Sequence, residues 1–393
     1  MRTYFKKIKQ TKEHSIKYHV HTQGFPSKKL IALSVADSDY KVSPAIQKAI
    51  KKDIKHGFLG YFGNPDDYCQ TIQTWFLKRY QVNIDTSWVV AAPKVLNAIA
   101  VTIQTLLKKG SRILIQTPVY HVFKPVILKN ECDVVENKLI IKDQRFDIDF
   151  EQLDKDLSEQ IDMFIFCSPH NPVGRVYSKV EIEKVVNLCK KHDVFLISDE
   201  IHADLIMPGY TFFSTGHLLN GFDKLIIISA PSKTFNVAGL QIAHLIIANP
   251  HIREKIINAY QKLILSSPNR LAHRALKAAY LHSDHWVEAQ NSHIYTNYHR
   301  LEEMITLNHK DLWLTPLEGT YLAWLNIKCL NIDSQTFVNN LVKEEGLVLS
   351  PGQAFSEDAD DFVRINLATS KKAFKEAIKR LNKYLISIKG EDK

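Results

Sequence analysis

Between residues 85 and 250 short, continuously apolar runs alternate with stretches of helical period. The runs are "WVVAA" (88–92), "SRILIQ" (111–116), "DMFIFC" (162–167), "DVFLIS" (193–198), "KLIIIS" (224–229) and "HLIIA" (244–248). They are apolar throughout rather than at every second position, which predicts strands covered on both faces. "VLNAIAVTIQTLLKKG" (95–110) reads as a helix closed by Lys-Lys-Gly, and "KVEIEKVVNLCKKH" (179–192) as an amphipathic helix between two strands. The alternation predicts an α/β fold, a mostly parallel sheet with helices on both faces.

After residue 250 the texture changes. "HIREKIINAYQKLILSS" and the stretch from Asn269 to Ile305 read as long helices. "TYLAWLNI" (320–327) and "DFVRINLA" (361–368) read as short strands, and "KKAFKEAIKRLNKYLISI" as a closing helix. This predicts a smaller α+β domain. The first forty or so residues have no place in the central sheet and are expected to join the C-terminal part. The expected division is an N-terminal segment over 1–45, a large domain over 46–287 and a small domain over 288–393.

Composition narrows the class without changing it. A chain of 393 residues exceeds one simple core, and 45% hydrophobic with 24% charged residues is ordinary for a globular protein. The formal net charge is +9, but the lysines are scattered and not interleaved with aromatics, so a solvated surface is expected rather than nucleic-acid binding. The basic N-terminus lacks an apolar h-region, and the longest apolar runs fall far short of a membrane span. The five cysteines lie far apart, which predicts reduced thiols and a cytoplasmic protein. His19 and His21 in "HSIKYHVH" (14–21) share a strand face, yet nothing nearby completes a ligand set, so no metal site is expected.

In open α/β sheets ligands bind beyond the carboxyl ends of the strands, so the residues following each run carry the chemistry. After "WVVAA", Pro93-Lys94-Val95-Leu96 opens a helix whose free N–H groups suit a phosphate. Tyr120 comes after "SRILIQ" and is placed to stack on a flat ring or to pack the rim. Asn171, held between prolines after "DMFIFC", offers an amide donor or marks a plain turn. Asp199 ends a buried run and needs a cation or hydrogen bonds there. It either serves a ligand or caps the next helix, with Glu200 pointing to solvent. Lys233, in "SAPSKTFNVAGLQ" (229–241), is either a loop lysine or an amine made nucleophilic by partial desolvation. One aromatic plate, amide, acid, amine and phosphate site at successive strand ends suit a single ligand, pyridoxal 5′-phosphate. The amine forms its Schiff base and the acid keeps the pyridine nitrogen protonated.

The motifs "SPHNPVG", "DEIHADL" and "APSKTFNVAGL", with "SIKYHV", "VADSDY", "GYFGNPDDY", "EGTYLAWLNI" and "FVRINLATS", extend over nearly the whole chain. Together they resemble the fold-type I pyridoxal-phosphate enzymes of the class I/II aminotransferase superfamily, and more narrowly the MalY/PatB-type cystathionine β-lyases. The resemblance implies a seven-stranded sheet in the large domain and a homodimer. It implies that Lys233 carries the cofactor and moves the substrate's Cα proton, that Asp199 pairs with the ring nitrogen, and that Asn171 bonds the phenolate oxygen with His202 nearby. It implies Tyr120 stacked on the ring. The phosphate is implied to sit on the N–H groups of Val95 and Leu96, the Ser232 hydroxyl and Tyr61 of the other subunit. Arg364, beside the backbone at Ala36, is implied to clamp the substrate carboxylate.

Four positions depart from the pattern. Lys94 stands where glycine is usual, Ser34 replaces an aromatic, and Ser38 replaces a methionine. Gln241 stands where many aminotransferases carry a phosphate-binding arginine, which favours the lyases. The expected activity is α,β-elimination of L-cystathionine or related cysteine conjugates to thiol, pyruvate and ammonia. An aminotransferase on the same fold and a non-enzymatic regulatory protein are the alternatives.

Overall fold

The structure is a computed structural model and describes residues 4–5, 15–18, 30–63, 65, 67–265 and 268–390. The histidines at 19 and 21 lie outside the described residues. The chain begins with β1 (Ile31–Ala32), α1 (Pro44–His56), α2 (Asp67–Tyr80), β2 (Val89–Ala92), α3 (Val95–Leu106), β3 (Arg112–Thr117), α4 (Phe123–Lys129) and β4 (Asp133–Lys138). A hairpin of β5 (Ile140–Lys142) and β6 (Arg145–Asp147) leads to α5 (Phe150–Ser158), β7 (Met163–Cys167), α6 (Lys179–Lys191), β8 (Phe195–Asp199), β9 (Leu225–Ser229) and β10 (Ala243–Ile246). Then come α7 (Pro250–Lys262), α8 (Arg270–His282), α9 (Asp284–Asn308), β11 (Trp313–Leu314), β12 (Leu322–Asn326), α10 (Ser334–Glu345), β13 (Leu347–Val348), β14 (Ser350–Pro351), β15 (Phe362–Asn366) and α11 (Lys371–Gly390).

The six apolar runs become β2, β3, β7, β8, β9 and β10, and with β4 they form one seven-stranded sheet in the order β2-β10-β9-β8-β7-β3-β4. Only β10 runs against its neighbours; the other adjacent pairs are parallel. Alternate side chains of β7 enter different cores. Phe164 and Phe166 face one layer while Met163, Ile165 and Cys167 face the other, which is why the run has no polar positions. The seventh strand, β4, reads "DVVENK". It sits at the sheet edge, pairing only with β3, and its polar positions hide it from an apolar pattern.

The helical stretch expected from Asn269 to Ile305 is two helices. It breaks at buried Ser283, whose hydroxyl meets that of Ser43 at 2.7 Å and also donates to the Ala278 carbonyl.

A second, antiparallel sheet has the order β11-β12-β15-β14. The N-terminal strand β1 pairs in parallel with β13, Ile31 opposite Leu347 and Ala32 opposite Val348. The ladder continues from Leu33 N–H to the Val348 carbonyl (2.8 Å), and Asn366 N–H donates to the Leu33 carbonyl (2.8 Å). The Asn366 side chain then donates to the carbonyls of Val35 (2.6 Å) and Asp37 (2.7 Å). Fully buried Lys17 pairs with Asp37 (3.1 Å) and Asp39 (3.0 Å). These bonds hold residues 34–39 in place, and Ala36 with them. No helix among the described residues is long and apolar enough to cross a membrane.

Candidate active site

Strands β7, β8 and β9 are parallel neighbours, so the loops after Cys167, Asp199 and Ser229 leave the sheet on one side. They border a cavity of about 380 Å³. Its lining brings together Val95, Leu96, Tyr120, Asn171, Asp199, His202, Ser232 and Lys233. Arg364 joins them through a bond to Asn171, and Ala36 through a bond from Lys233. Tyr61 does not join them: it is fully exposed and lies outside the cavity lining.

The amine of Lys233 donates to the Ala36 carbonyl at 2.9 Å. Burial lowers its pKa to about 8, and the Arg364 cation adds to the shift, against the opposing charges of Asp37 and Asp199. The same Ala36 carbonyl accepts from the Tyr321 hydroxyl at 2.8 Å. Asp199 is 3% exposed, and burial lifts its pKa to about 7 although the Ile201 N–H (3.1 Å) and the Lys233 charge oppose the rise. A buried carboxyl that close to neutrality calls for a cation beside it.

Arg364 is buried in the β15 strand of the smaller sheet. It donates to Asn171 Oδ1 (3.0 Å) and the Ser34 carbonyl (2.8 Å), and its guanidinium lies 4.4 Å from the Phe355 ring centre. Burial lowers its pKa to about 10, so it remains a cation, and its Nε has no partner. Arginine only donates, so it fixes Asn171 with its oxygen toward Arg364 and its NH₂ free for another acceptor. His202 is buried, with Nδ1 unpartnered, and burial together with the Lys233 and Arg364 charges holds it neutral. At the start of α3 the N-cap residue Lys94 makes no side-chain capping bond, leaving the first N–H groups of the helix without a side-chain acceptor.

This donor set fits pyridoxal phosphate. Among the described residues Asp199 has no ion pair within 4.0 Å, Asn171 has a free amide donor, and His202 and Arg364 have orphaned nitrogens, while Lys233 presents a readily deprotonated amine. Asn171 itself stands on a stiff loop. Buried Arg175, four residues on, donates to the Phe146 carbonyl (2.8 Å), Glu318 (2.6 Å) and Glu181 (2.6 Å).

One expectation is corrected. Glu200 does not point to solvent; it is 1% exposed and accepts from Ser198 Oγ (3.2 Å), Ser214 Oγ (2.7 Å), and Thr215 N–H (2.8 Å) and Oγ1 (2.7 Å). Ser214 and Thr215 satisfy the buried carboxylate from a segment fourteen residues away, a partnership no local pattern reveals. Sequence reasoning also missed Tyr321, Asp37 and Asn236, which reach the site region by long-range bonds. Asn236 brackets Ser38, accepting from its N–H (3.1 Å) and donating to its carbonyl (3.0 Å). Their one signal was membership of the quoted motifs.

Residues 28–381 match the family described as aminotransferase class I and II. Cystathionine beta-lyase PatB of Bacillus subtilis (strain 168) is 29% identical over 369 residues, 93% of this chain and 95% of PatB. Protein MalY of Escherichia coli (strain K12) is 30% identical over 346 residues, 87% of this chain and 88% of MalY. The crystal structure of cystalysin from Treponema denticola contains a pyridoxal 5′-phosphate cofactor. It superposes with a TM-score of 0.93 at 32% identity, covering 98% of this chain and 99% of cystalysin. The chain belongs to the class I and II aminotransferase family.

Proposed function

We propose that the protein is a pyridoxal-phosphate-dependent carbon–sulfur β-lyase acting on L-cystathionine or related cysteine conjugates. The observation that carries this reading is the amine of Lys233, lowered to about 8, in one cavity with the buried carboxyl of Asp199, in a chain alignable with PatB along nearly its full length.

When bound, pyridoxal phosphate supplies a ring that takes up the electron pair left on deprotonation of Cα. Lys233 removes the Cα proton, and the C–S bond then breaks with the thiolate leaving from the β-carbon. The enamine that remains is hydrolysed to pyruvate and ammonia. Asp199 would hold a proton on the ring nitrogen, Asn171 would donate to the phenolate oxygen with His202 close by, and Tyr120 would stack on the ring. Val95, Leu96 and Ser232, all in the cavity lining, would hold the phosphate. Arg364, partly bound to backbone and Asn171, would hold the substrate carboxylate, its Nε having no partner among the described residues. Substrate therefore spans both sheets, and we take residues 46–287 as the cofactor-binding domain with 1–45 and 288–393 closing it. We also take the protein as a homodimer whose Tyr61 serves the neighbouring subunit's phosphate. Its full exposure, beside exposed Phe58 and Leu59, supports this.

Aminotransfer is the second reading. The neutral Gln241 in the cavity wall favours the lyase. L-Alanine, which has no leaving group on its β-carbon, separates the two. The lyase makes pyruvate from L-cystathionine and none from L-alanine. Pyruvate formed from L-alanine on adding an oxo acid, at a rate rivalling that from L-cystathionine, would make the protein an aminotransferase.

The amine must be neutral to attack the cofactor's aldehyde. Lys233 is lowered to about 8, so its neutral fraction falls about tenfold per pH unit below that value and levels off above it. The rate at which cofactor-free protein captures pyridoxal phosphate, followed by stopped-flow absorbance, is expected to trace this curve. A rate independent of pH between about 6 and 8 would contradict it.

A further inference from the structure

Lys94 is a poor residue for its position. N-caps favour Ser, Thr, Asp and Asn, whose oxygens accept from the first helical N–H groups, whereas an ammonium has no acceptor. A cation also repels the positive end of the helix dipole. Here it heads a helix of 12 residues, in extended conformation and with no side-chain cap. No ion pair with Lys94 occurs among the described residues. It nonetheless lines the same cavity as Val95, Ser232 and Gln241.

An anion seated on the helix N-terminus would offset both penalties, because it would accept from the free N–H groups and be attracted by helix dipole and ammonium alike. That the cavity is built for a ligand is shown independently by His202, which is 2% exposed, lines the same cavity and has an unpartnered Nδ1. The lining holds two lysines, Lys94 and Lys233. Lys233 is committed to covalent chemistry and Gln241 is neutral, which leaves Lys94 as the lining cation available to a phosphate.

We propose that Lys94 is a phosphate-binding residue, supplying at the head of α3 the positive charge that Gln241 does not. This rests on the pyridoxal-phosphate reading of the site. Lys94 acts on the phosphate alone, so its contribution is absent for pyridoxal, the same aldehyde without phosphate.

The test is equilibrium titration of the cofactor-free protein with pyridoxal phosphate and with pyridoxal, for wild type, Lys94→Ala and Lys94→Arg. Losing one charge-assisted contact from an exposed side chain is expected to weaken pyridoxal phosphate binding about fivefold. Pyridoxal binding should be unchanged, which also shows that the variant is folded. Lys94→Arg should stay within about twofold of wild type, and the salt dependence should be shallower for Lys94→Ala. Equal weakening for both ligands, or no weakening for either, overturns the proposal. A wild-type protein that binds neither ligand overturns the pyridoxal-phosphate reading, and this inference with it.

Discussion

Lys233→Ala is expected to abolish pyruvate release from L-cystathionine, lowering the rate by about 10⁴-fold or more. In the proposed mechanism Lys233 has two tasks: it would hold the cofactor covalently, and it would take the Cα proton. No neighbour replaces it. Arg364 is a permanent cation, burial and the Arg364 charge make His202 a weak base, and Tyr321 is engaged with the Ala36 carbonyl at 2.8 Å, its hydroxyl pushed up by burial. The variant should fold, because the substitution removes an amine that is costly to charge in its desolvated site. It should still take up cofactor through Asp199, Asn171 and the phosphate contacts, now without a covalent bond. Lys233→Arg should not rescue activity, since a guanidinium stays charged and cannot accept the proton. Pyruvate at the wild-type rate from the alanine variant would sink the mechanism.

Asp199→Asn is expected to lower turnover by about 10²–10³-fold with little change in KM. Removing one partner of a buried ion pair costs about 3–5 kcal/mol, and each 1.4 kcal/mol is a factor of ten. The Asp199 carboxyl has a pKa of about 7, and a protonated ring nitrogen is the cation that would hold it ionised. Asparagine keeps the volume and the bond from the Ile201 N–H, but it cannot hold a proton on that nitrogen, so the ring loses most of its capacity to withdraw electrons. The proposed binding of substrate through Arg364 is untouched, which separates the effect from KM. Turnover within tenfold of wild type, with cofactor retained, would show that Asp199 is not the ring-nitrogen partner.

The central strands were legible because both faces of the sheet are covered. In β7 and β9 every side chain is buried, so burial alone writes an uninterrupted apolar run. Edge strand β4 was not legible as a run, since a strand paired on one side keeps the polar residues of "DVVENK". The break between α8 and α9 was hidden because the helical period continues across it, while the partner of the Ser283 hydroxyl at the break, Ser43, lies 240 residues away. Among site residues, those standing at strand ends could be read from position. Glu200, Tyr321 and Asp37 could not, because what places them is a distant partner: Thr215, the Ala36 carbonyl and Lys17. The orientation of Asn171 likewise depends on Arg364, 193 residues on.

The most direct test of β-lyase activity is the time course of pyruvate and thiol released from L-cystathionine by the cofactor-loaded protein with no oxo acid present. Equal amounts of the two products are expected, rising linearly far beyond one equivalent per subunit. A plateau at one equivalent of cofactor converted, or thiol release without pyruvate, would contradict it.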